Sequence, residues 1–258
     1  TAAACLASGC AKKEVSVEVV SGAENENKPQ ISINENKPQI SSNENKPQIS
    51  IQENPAALFL KITAEYDSDW QDEHSLISTK TSQIRILDED HAELQKALDA
   101  LNQKNLDSQS TFMADNQADA RQMYQDKPEL MEDNGWESEL TLTAVRADET
   151  VLCLRQTDYS WLGGAHPNTC ITGITYDTQT GAELSLKDIA NDYDGIYEYV
   201  LERLAKEHDP NMFFEQYEDA VKAMFYGGDA DYSPVHWSLT NEGVTIWFNQ
   251  YDIAPYAA

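Results

Sequence analysis

Two segments with the pattern of β-strands flank a short loop at Asp158–Asn168, and this arrangement constrains the fold strongly. The flanking segments are Val151–Gln156 before the loop and Cys170–Tyr176 after it. Within the loop, the glycine pair 163–164 allows backbone angles that other residues avoid. The proline that follows His166 favours an extended backbone at the histidine. We therefore predict a shaped connection between two antiparallel strands that presents one imidazole.

The order of patterns along the rest of the chain predicts an α+β architecture. Predicted strands and helices come in separate runs, without regular β–α–β alternation, so we expect mainly antiparallel sheets with helices packed on one face. The chain would contain two successive subdomains, residues 56–167 and 168–258. Strands are predicted at 58–66, 74–87, 136–147, 150–156, 170–177, 235–239 and 244–248, and helices at 90–103, 108–125, 194–208 and 211–226.

The first 55 residues have a different composition. Residues 25–51 contain three copies of a nine-residue unit, Asn-Glu-Asn-Lys-Pro-Gln-Ile-Ser-Ile, of which the second ends in Ser. Each unit carries a proline and too few apolar residues to form a core, so we predict a disordered linker over residues 11–55. The segment Leu6-Ala-Ser-Gly-Cys10 resembles a lipobox at the end of a signal peptide, in which the cysteine thiol is acylated and the cysteine becomes the mature N-terminus. We expect lipidation at Cys10 and a position on the extracellular face of a bacterial cell membrane.

The charge of the chain excludes one class of partner. The formal net charge is −27, and −25 of it falls on residues 56–258. Such a domain repels nucleic acid and attracts cationic partners, among which we expect a cationic protein or peptidoglycan. The alternative is an acidic surface that only confers solubility.

Two cysteines lie in the segments that flank the loop. If these strands pair around a turn near residues 161–162, Cys153 and Cys170 lie opposite each other, and an oxidising compartment would allow a disulfide. The alternative is a pair of buried free thiols.

A catalytic role for the loop is weakly supported by the sequence. His166 could act as a general base or a metal ligand, and Ser160 precedes it by six positions, but no Gly-x-Ser-x-Gly motif surrounds the serine. We expect no enzymatic activity, cofactor or metal, and keep a hydrolase using His166, or a structural cell-wall spacer, as alternatives. Two groups of oxygen-bearing side chains have calcium-like spacing but lack a completing glutamate. They are Asp188, Asp192 and Asp194, and Asp229, Asp231 and Ser233. They are either weak calcium ligands or solvated carboxylates.

Aromatic residues in loops are common anchors for protein or sugar partners, although they also plug the ends of sheets. We predict that the loops 159–168 and 250–256 form one recognition surface. Its candidate residues are Tyr159, Ser160, Trp161, Gly163, Gly164, His166, Tyr251, Pro255 and Tyr256.

Three motifs, taken in order, carry a family resemblance. They are Gly-Gly-Ala-His-Pro at 163–167, Thr-Tyr-Asp-x-x-Thr-Gly-x-x-Leu-x-Leu-x-Asp at 175–188 and Tyr-Asp-Ile-Ala-Pro-Tyr at 251–256. This combination is similar to a family of bacterial extracellular modules, a domain of unknown function in many lipoproteins. The family occurs beside the catalytic domain of the peptidoglycan deacetylase PdaC and as the outer domain of the anti-sigma factor RsiV.

The resemblance implies a non-catalytic module. Residues 56–167 would form the PdaC-like subdomain and residues 168–258 the RsiV-like subdomain. The RsiV outer domain is a receptor for lysozyme, a cationic enzyme, so the resemblance implies lysozyme as a candidate partner. The metal-binding aspartate and histidines of the PdaC catalytic domain do not occur in this sequence, and no deacetylase activity is implied.

Overall fold

A computed structural model of the chain describes residues 15–20, 57–131, 135–227 and 233–256, and for residues 15–20 it describes the backbone. The predicted lipidation site Cys10, the repeats at 25–51 and the acidic residues 229–231 lie outside the described residues. No helix in the described ranges is long and apolar enough to cross a membrane.

The strands are β1 (Val15–Val20), β2 (Leu60–Gln71), β3 (His74–Ile86), β4 (Trp136–Ala147), β5 (Val151–Trp161), β6 (Asn168–Asp177), β7 (His236–Leu239) and β8 (Val244–Trp247). The helices are α1 (Ala92–Asp126), α2 (Leu186–Ile189), α3 (Tyr193–Glu207) and α4 (Tyr217–Tyr226).

Strands β1 to β6 form one sheet in sequence order, and β7 and β8 form a second, small sheet. Neighbouring strands are antiparallel except for β3 and β4, which are parallel. A parallel pair needs a long crossover, and α1 supplies it between these two strands. The predicted α+β class is confirmed.

Strand β1 lies within the segment predicted to be a disordered linker. Its residues Val15–Val20 pair antiparallel with β2, so the prediction of disorder is wrong at these positions. The sequence Val-Ser-Val-Glu-Val-Val alternates β-branched and polar residues, a pattern typical of a strand. The remainder of the predicted linker lies outside the described residues.

Helix α1 is continuous over 35 residues, whereas the sequence pattern predicted two helices with a break near residue 105. Neither glycine nor proline occurs between residues 103 and 108, so nothing there ends a helix. The apolar side chains Leu94, Leu98 and Leu101 pack on the face of β5 and β6 that carries Leu152 and Ile174. This layer is the main hydrophobic core.

Polar side chains along α1 also contact the sheet. The side-chain amide of Asn102 accepts a hydrogen bond from the Ile84 nitrogen at 2.9 Å and donates one to the Ile84 oxygen at 2.8 Å. Further amide hydrogen bonds join Gln95 to Ile86, Asn105 to Gln156 and Gln109 to Ser138. Near the end of the helix, Arg121 holds the carboxylate of Asp69 on β2 through two nitrogens, at 2.6 and 2.8 Å.

The opposite face of β5 and β6 carries a second unit formed by residues 186–256. Its core lies between α3, α4 and the small sheet, with Val221, Phe225 and Trp237 buried. Strand β7 crosses β6 so closely that a Cβ on Gly173 would lie 1.6 Å from the Trp237 carbonyl oxygen. The predicted subdomain boundary at 167/168 falls in the connection between β5 and β6, which pair in one sheet.

The predicted disulfide between Cys153 and Cys170 is wrong, because both cysteines are free. Cys153 lies opposite Thr175, and Cys170 lies opposite Asp158. Five residues along a strand separate the two cysteines by roughly 16 Å, far beyond the limit of about 7 Å between bridged Cα atoms. The turn is centred near Gly164, later than predicted, and this shift moves Cys170 out of register with Cys153.

The β2–β3 turn offers a test of backbone strain. Asp72 and Glu73 have φ angles of 50° and 69°, which favour Asn and Gly in a two-residue hairpin turn. We expect Glu73→Gly to raise the free energy of unfolding by about 1 kcal/mol, because glycine avoids the steric cost of the left-handed region. Chemical denaturation measures the change. Glu242→Gly is the control, since it removes the same charge from an exposed turn position without a positive φ, and an equal gain there would contradict the explanation.

Candidate functional site: the ring surface of His166, Tyr251 and Tyr256

The loop between β5 and β6 has the shape that its glycines predict. Gly163 has a φ of +77°, and a Cβ there would lie 3.2 Å from the Trp136 indole nitrogen. The Trp161 indole nitrogen donates a hydrogen bond of 3.0 Å to the Gly164 carbonyl, which closes the loop on itself. The loop is therefore held by local contacts and extends its last residues into solvent.

His166 lies against the C-terminal segment. Its imidazole stacks on the ring of Tyr256, with 4.0 Å between ring centroids and 16° between ring planes. Tyr251 lies 6.4 Å from Tyr256, centroid to centroid. Tyr251 and Tyr256 are 51% and 41% exposed, and His166 is also exposed. We call these three side chains the ring surface.

The hydrogen bonding of His166 is to the backbone. Its Nδ1 lies 3.0 Å from the Pro167 carbonyl oxygen. Because a carbonyl only accepts, this contact assigns the proton to Nδ1 and leaves Nε2 as the acceptor. Within the described ranges, no serine, cysteine or carboxylate is hydrogen-bonded to this imidazole.

The C-terminal segment is fastened to the edge strand β6 by side chains. Asn249 accepts a hydrogen bond from the Ile171 nitrogen at 2.8 Å and donates one to the Ile171 oxygen at 3.0 Å. The Trp247 indole also donates to that oxygen at 3.0 Å. Asp252 accepts a bond from the Asn249 nitrogen and closes a tight turn in which Tyr251 has a φ of +67°. These contacts place the segment next to the His166 loop.

The other predicted site residues lie around this surface without joining it. The Tyr159 hydroxyl donates to Glu137 at 3.0 Å, and the pKa of Tyr159 is raised by desolvation and then by that carboxylate. Ser160 is half-buried on β5, and Pro255 is exposed beside Tyr256. In the described part of the chain, neither Tyr159 nor Ser160 has a ring or hydrogen-bond contact with the ring surface.

The aspartates with calcium-like spacing at 188–194 serve local structure. Asp188 accepts hydrogen bonds from the nitrogen and hydroxyl of Ser185, which hold its pKa below the usual range. Asp192 accepts a bond from the Gly195 nitrogen at the start of α3. Among the residues that the structure describes, no group of three or more His, Cys, Asp or Glu side chains is arranged to hold a metal ion.

The sequence interpretation missed a cavity of about 310 Å³ between β6 and the segment that follows β7. Arg155 projects into it from a strand whose neighbouring residues, Leu152 to Leu154, are buried. An arginine directly after a buried run was the one local signal available. The cavity is lined by Arg155, Thr169, Ile171, Thr245, Trp247, Phe248, Asn249 and Gln250.

Two solved structures are similar to this chain. The chain is similar to a DUF3298 family protein from Bacteroides fragilis NCTC 9343, with 16% identity, a TM-score of 0.55 and coverage of 80% of this chain and 88% of that one. It also matches a DUF3298 family protein from Pseudomonas aeruginosa PAO1 at 19% identity, with a TM-score of 0.48 and coverage of 78% and 86%. At this identity the first likeness indicates a shared fold, and the second adds no argument.

Sequence comparison adds a local match. Residues 186–258, a range that includes the second unit, match the family described as protein of unknown function (DUF3298). No curated protein matches the chain. The chain thus carries a domain of unknown function in its C-terminal part, and the more specific resemblance to the PdaC and RsiV modules stays a prediction.

Proposed function

We propose that this chain is a non-catalytic binding module and that the ring surface is its recognition site. The observation that carries the proposal is the 4.0 Å stacking of His166 on Tyr256, which joins two loops far apart in sequence into one exposed aromatic surface. Exposed aromatic clusters are typical anchors for protein and sugar partners. The backbone hydrogen bond of His166 supports a positioning role for this residue over a catalytic one.

The backbone at Tyr251 adds a second argument. A tyrosine at φ +67° is strained by roughly 1–2 kcal/mol relative to glycine, and its ring remains 51% exposed. Folding alone would favour glycine at this position. Strain of this kind is common at functional sites, where the side chain is needed for another purpose.

Charge indicates the class of partner. Two carboxylates lie near the ring surface: Asp158 at the base of the His166 loop and Asp252 next to Tyr251. Burial raises the pKa of the Cys170 thiol, and these two carboxylates raise it further. Residues 56–258 carry a formal charge of −25. Aromatic rings next to carboxylates bind ammonium and guanidinium groups well. We therefore propose a cationic protein as the partner, and lysozyme is the test case that the family resemblance implies.

The proposal includes a location. Acylation of Cys10 would anchor the chain to the outer face of a bacterial cell membrane, and the repeats at 25–51 would hold the folded domain away from it. A lipid anchor of this kind would present the ring surface to secreted proteins.

Titration with lysozyme tests the partner and the surface together. We expect binding that weakens as salt rises from about 50 to 300 mM, because the attraction is electrostatic. Tyr256→Ala is expected to weaken it roughly tenfold or more, since a central aromatic anchor contributes 2 kcal/mol or more. Tyr251→Gly should weaken binding while leaving the thermal stability unchanged or higher, and this combination distinguishes a recognition role from a folding role.

Tyr199 provides the matched control. It is a tyrosine on α3 with 54% exposure, so Tyr199→Ala removes a similar ring from another surface and should leave binding unchanged. An equal loss in this variant would overturn the ring surface as the site. Absence of binding at both salt concentrations would remove lysozyme as the partner, and binding of purified peptidoglycan in its place would identify a glycan ligand.

A further inference from the structure

The cavity between β6 and the C-terminal segment has the size of a small-molecule site. Its volume of about 310 Å³ lies at the lower end of the range for ligand pockets. Thr169 and Thr245 contribute hydroxyl groups to its wall, and Ile171 and Phe248 contribute apolar surface. A compact ligand with one polar and one apolar end matches this lining.

A missing side chain shapes the cavity. Arg155 on β5 lies directly opposite Gly173 on β6. Because Gly173 has no side chain, the Trp237 carbonyl occupies that space and the Trp247 ring packs beside it, with its Cη2 3.1 Å from where a Cβ would be. The Arg155 guanidinium carbon lies 5.4 Å from the Trp247 ring centroid, a cation–π contact that orients the planar guanidinium.

Among the residues that the structure describes, the Arg155 guanidinium has no carboxylate partner. Its Nε is buried and makes no hydrogen bond, and no ion pair joins Arg155 to a carboxylate anywhere in the described ranges. By contrast, Arg121 and Arg146 each hold an aspartate, at 2.6 and 2.7 Å. An unpaired arginine is unexpected in a chain with 45 acidic and 18 basic residues. Because Nε is closed to solvent, a ligand in the cavity would pair with the two terminal guanidinium nitrogens, which are not buried.

Gln250 also lies on the cavity wall. Its side-chain oxygen is closed to solvent, which leaves the amide nitrogen as the group available to a ligand. The site therefore offers a planar cationic donor and a neutral donor beside the Trp247 ring and apolar side chains. A carboxylate pairs with the guanidinium, and a carbonyl group of the ligand accepts from the glutamine nitrogen.

We infer that this cavity binds a small carboxylate ligand, of the N-acyl amino acid type, with its carboxylate on Arg155 and its apolar part against Trp247 and Ile171. The inference does not rest on the proposed function, since it involves different residues and an anionic ligand. The negative charge of the chain opposes such a ligand at long range, but salt near 0.15 M screens charges beyond about 8 Å and leaves a direct contact intact.

Two matched probes test the inference, N-acetyl-leucine and its uncharged primary amide. Each is titrated into the full ¹⁵N-labelled chain at about 150 mM salt, and NMR follows the Arg155 Nε–H and the Trp247 indole N–H. We expect saturable shifts of both signals with the carboxylate, and binding of the amide that is roughly tenfold weaker because it lacks the charge-assisted bond. No saturable shift with the carboxylate, or equal binding of the two probes, would overturn the inference.

Variants test the role of Arg155 independently. Arg155→Gln should weaken binding of the carboxylate at least about tenfold, and Arg155→Lys should weaken it less, because lysine keeps the charge without the planar pair of donors. Arg85→Gln is the control, since it removes the same charge from an exposed position on β3 and should leave binding unchanged. An equal loss in the Arg85 variant would contradict a local site. If Arg155→Gln does not fold, the two probes on the unmodified chain still decide the question.

Discussion

Replacing Gly173 with alanine is expected to detach the small sheet from β6 and to lower the free energy of unfolding by at least about 3 kcal/mol. The added Cβ would lie 1.6 Å from the Trp237 carbonyl oxygen, which is backbone and cannot rotate away. Strand β7 would have to move outward, and the contacts of the second unit with β5 and β6 would be lost with it. Chemical denaturation measures the stability, and the near-UV circular dichroism of the tryptophans reports the displacement.

Gly164→Ala is the matched control for this substitution. The nearest atom to a Cβ at Gly164 is 3.7 Å away, and its φ is not in the left-handed region, so the change should be close to neutral. Retention of full stability by Gly173→Ala would show that β7 does not cross β6 as closely as described.

Arg121→Met is expected to lower the free energy of unfolding by about 2–3 kcal/mol, because it leaves a buried carboxylate without its partner. The side chain of Asp69 is 3% exposed, whereas that of Arg121 is 39% exposed. Because solvent around Arg121 weakens the attraction between the two charges, the expected loss of stability is at the lower end of the range for a buried ion pair. Lys80→Met breaks the half-exposed Lys80–Glu139 pair and serves as the control; because neither charge in this pair is buried, the expected cost is below about 1 kcal/mol.

The pH dependence of this effect follows from Asp69. The bonds from Arg121 hold the pKa of Asp69 below its usual value of 3.8. A carboxyl group with a lowered pKa in the folded state stabilises the fold above its unfolded pKa, and the contribution is lost as pH falls through the folded pKa. The stability difference between the unmodified chain and Arg121→Met should therefore shrink as pH falls below about 4. A difference that stays constant between neutral pH and about pH 3 would contradict this assignment.

Local patterns were sufficient to predict much of the fold. Strand β4 was predicted at its observed bounds, and the final hairpin and α3 within a residue or two at each end, because each has a clear period and turn residues beside it. The disulfide prediction was wrong because pairing depends on where a turn is centred. The turn was predicted near residues 161–162, whereas the observed pairing of Ser160 with Asn168 centres it on Gly164.

The candidate site was predictable in part. The loops of His166 and Tyr256 were expected to meet, and they stack. The cavity was not predicted, because it depends on Gly173, which looks like an ordinary strand residue, and on Trp247, which reaches β6 from a distant hairpin. Nothing local to either residue marks the contact between them.

The amide hydrogen bonds along α1 have a consequence for the uniqueness of the fold. Leucines on a helix can pack almost equally well if the helix slides by one turn, since apolar contact has no direction. Asn102 instead needs the nitrogen and oxygen of one particular residue, Ile84, and Asn105 needs Gln156. A slide of one turn would bury these amides without partners, at a cost of roughly 1–3 kcal/mol for each group. These amide hydrogen bonds therefore select one axial position for α1 among several that the hydrophobic core alone would accept.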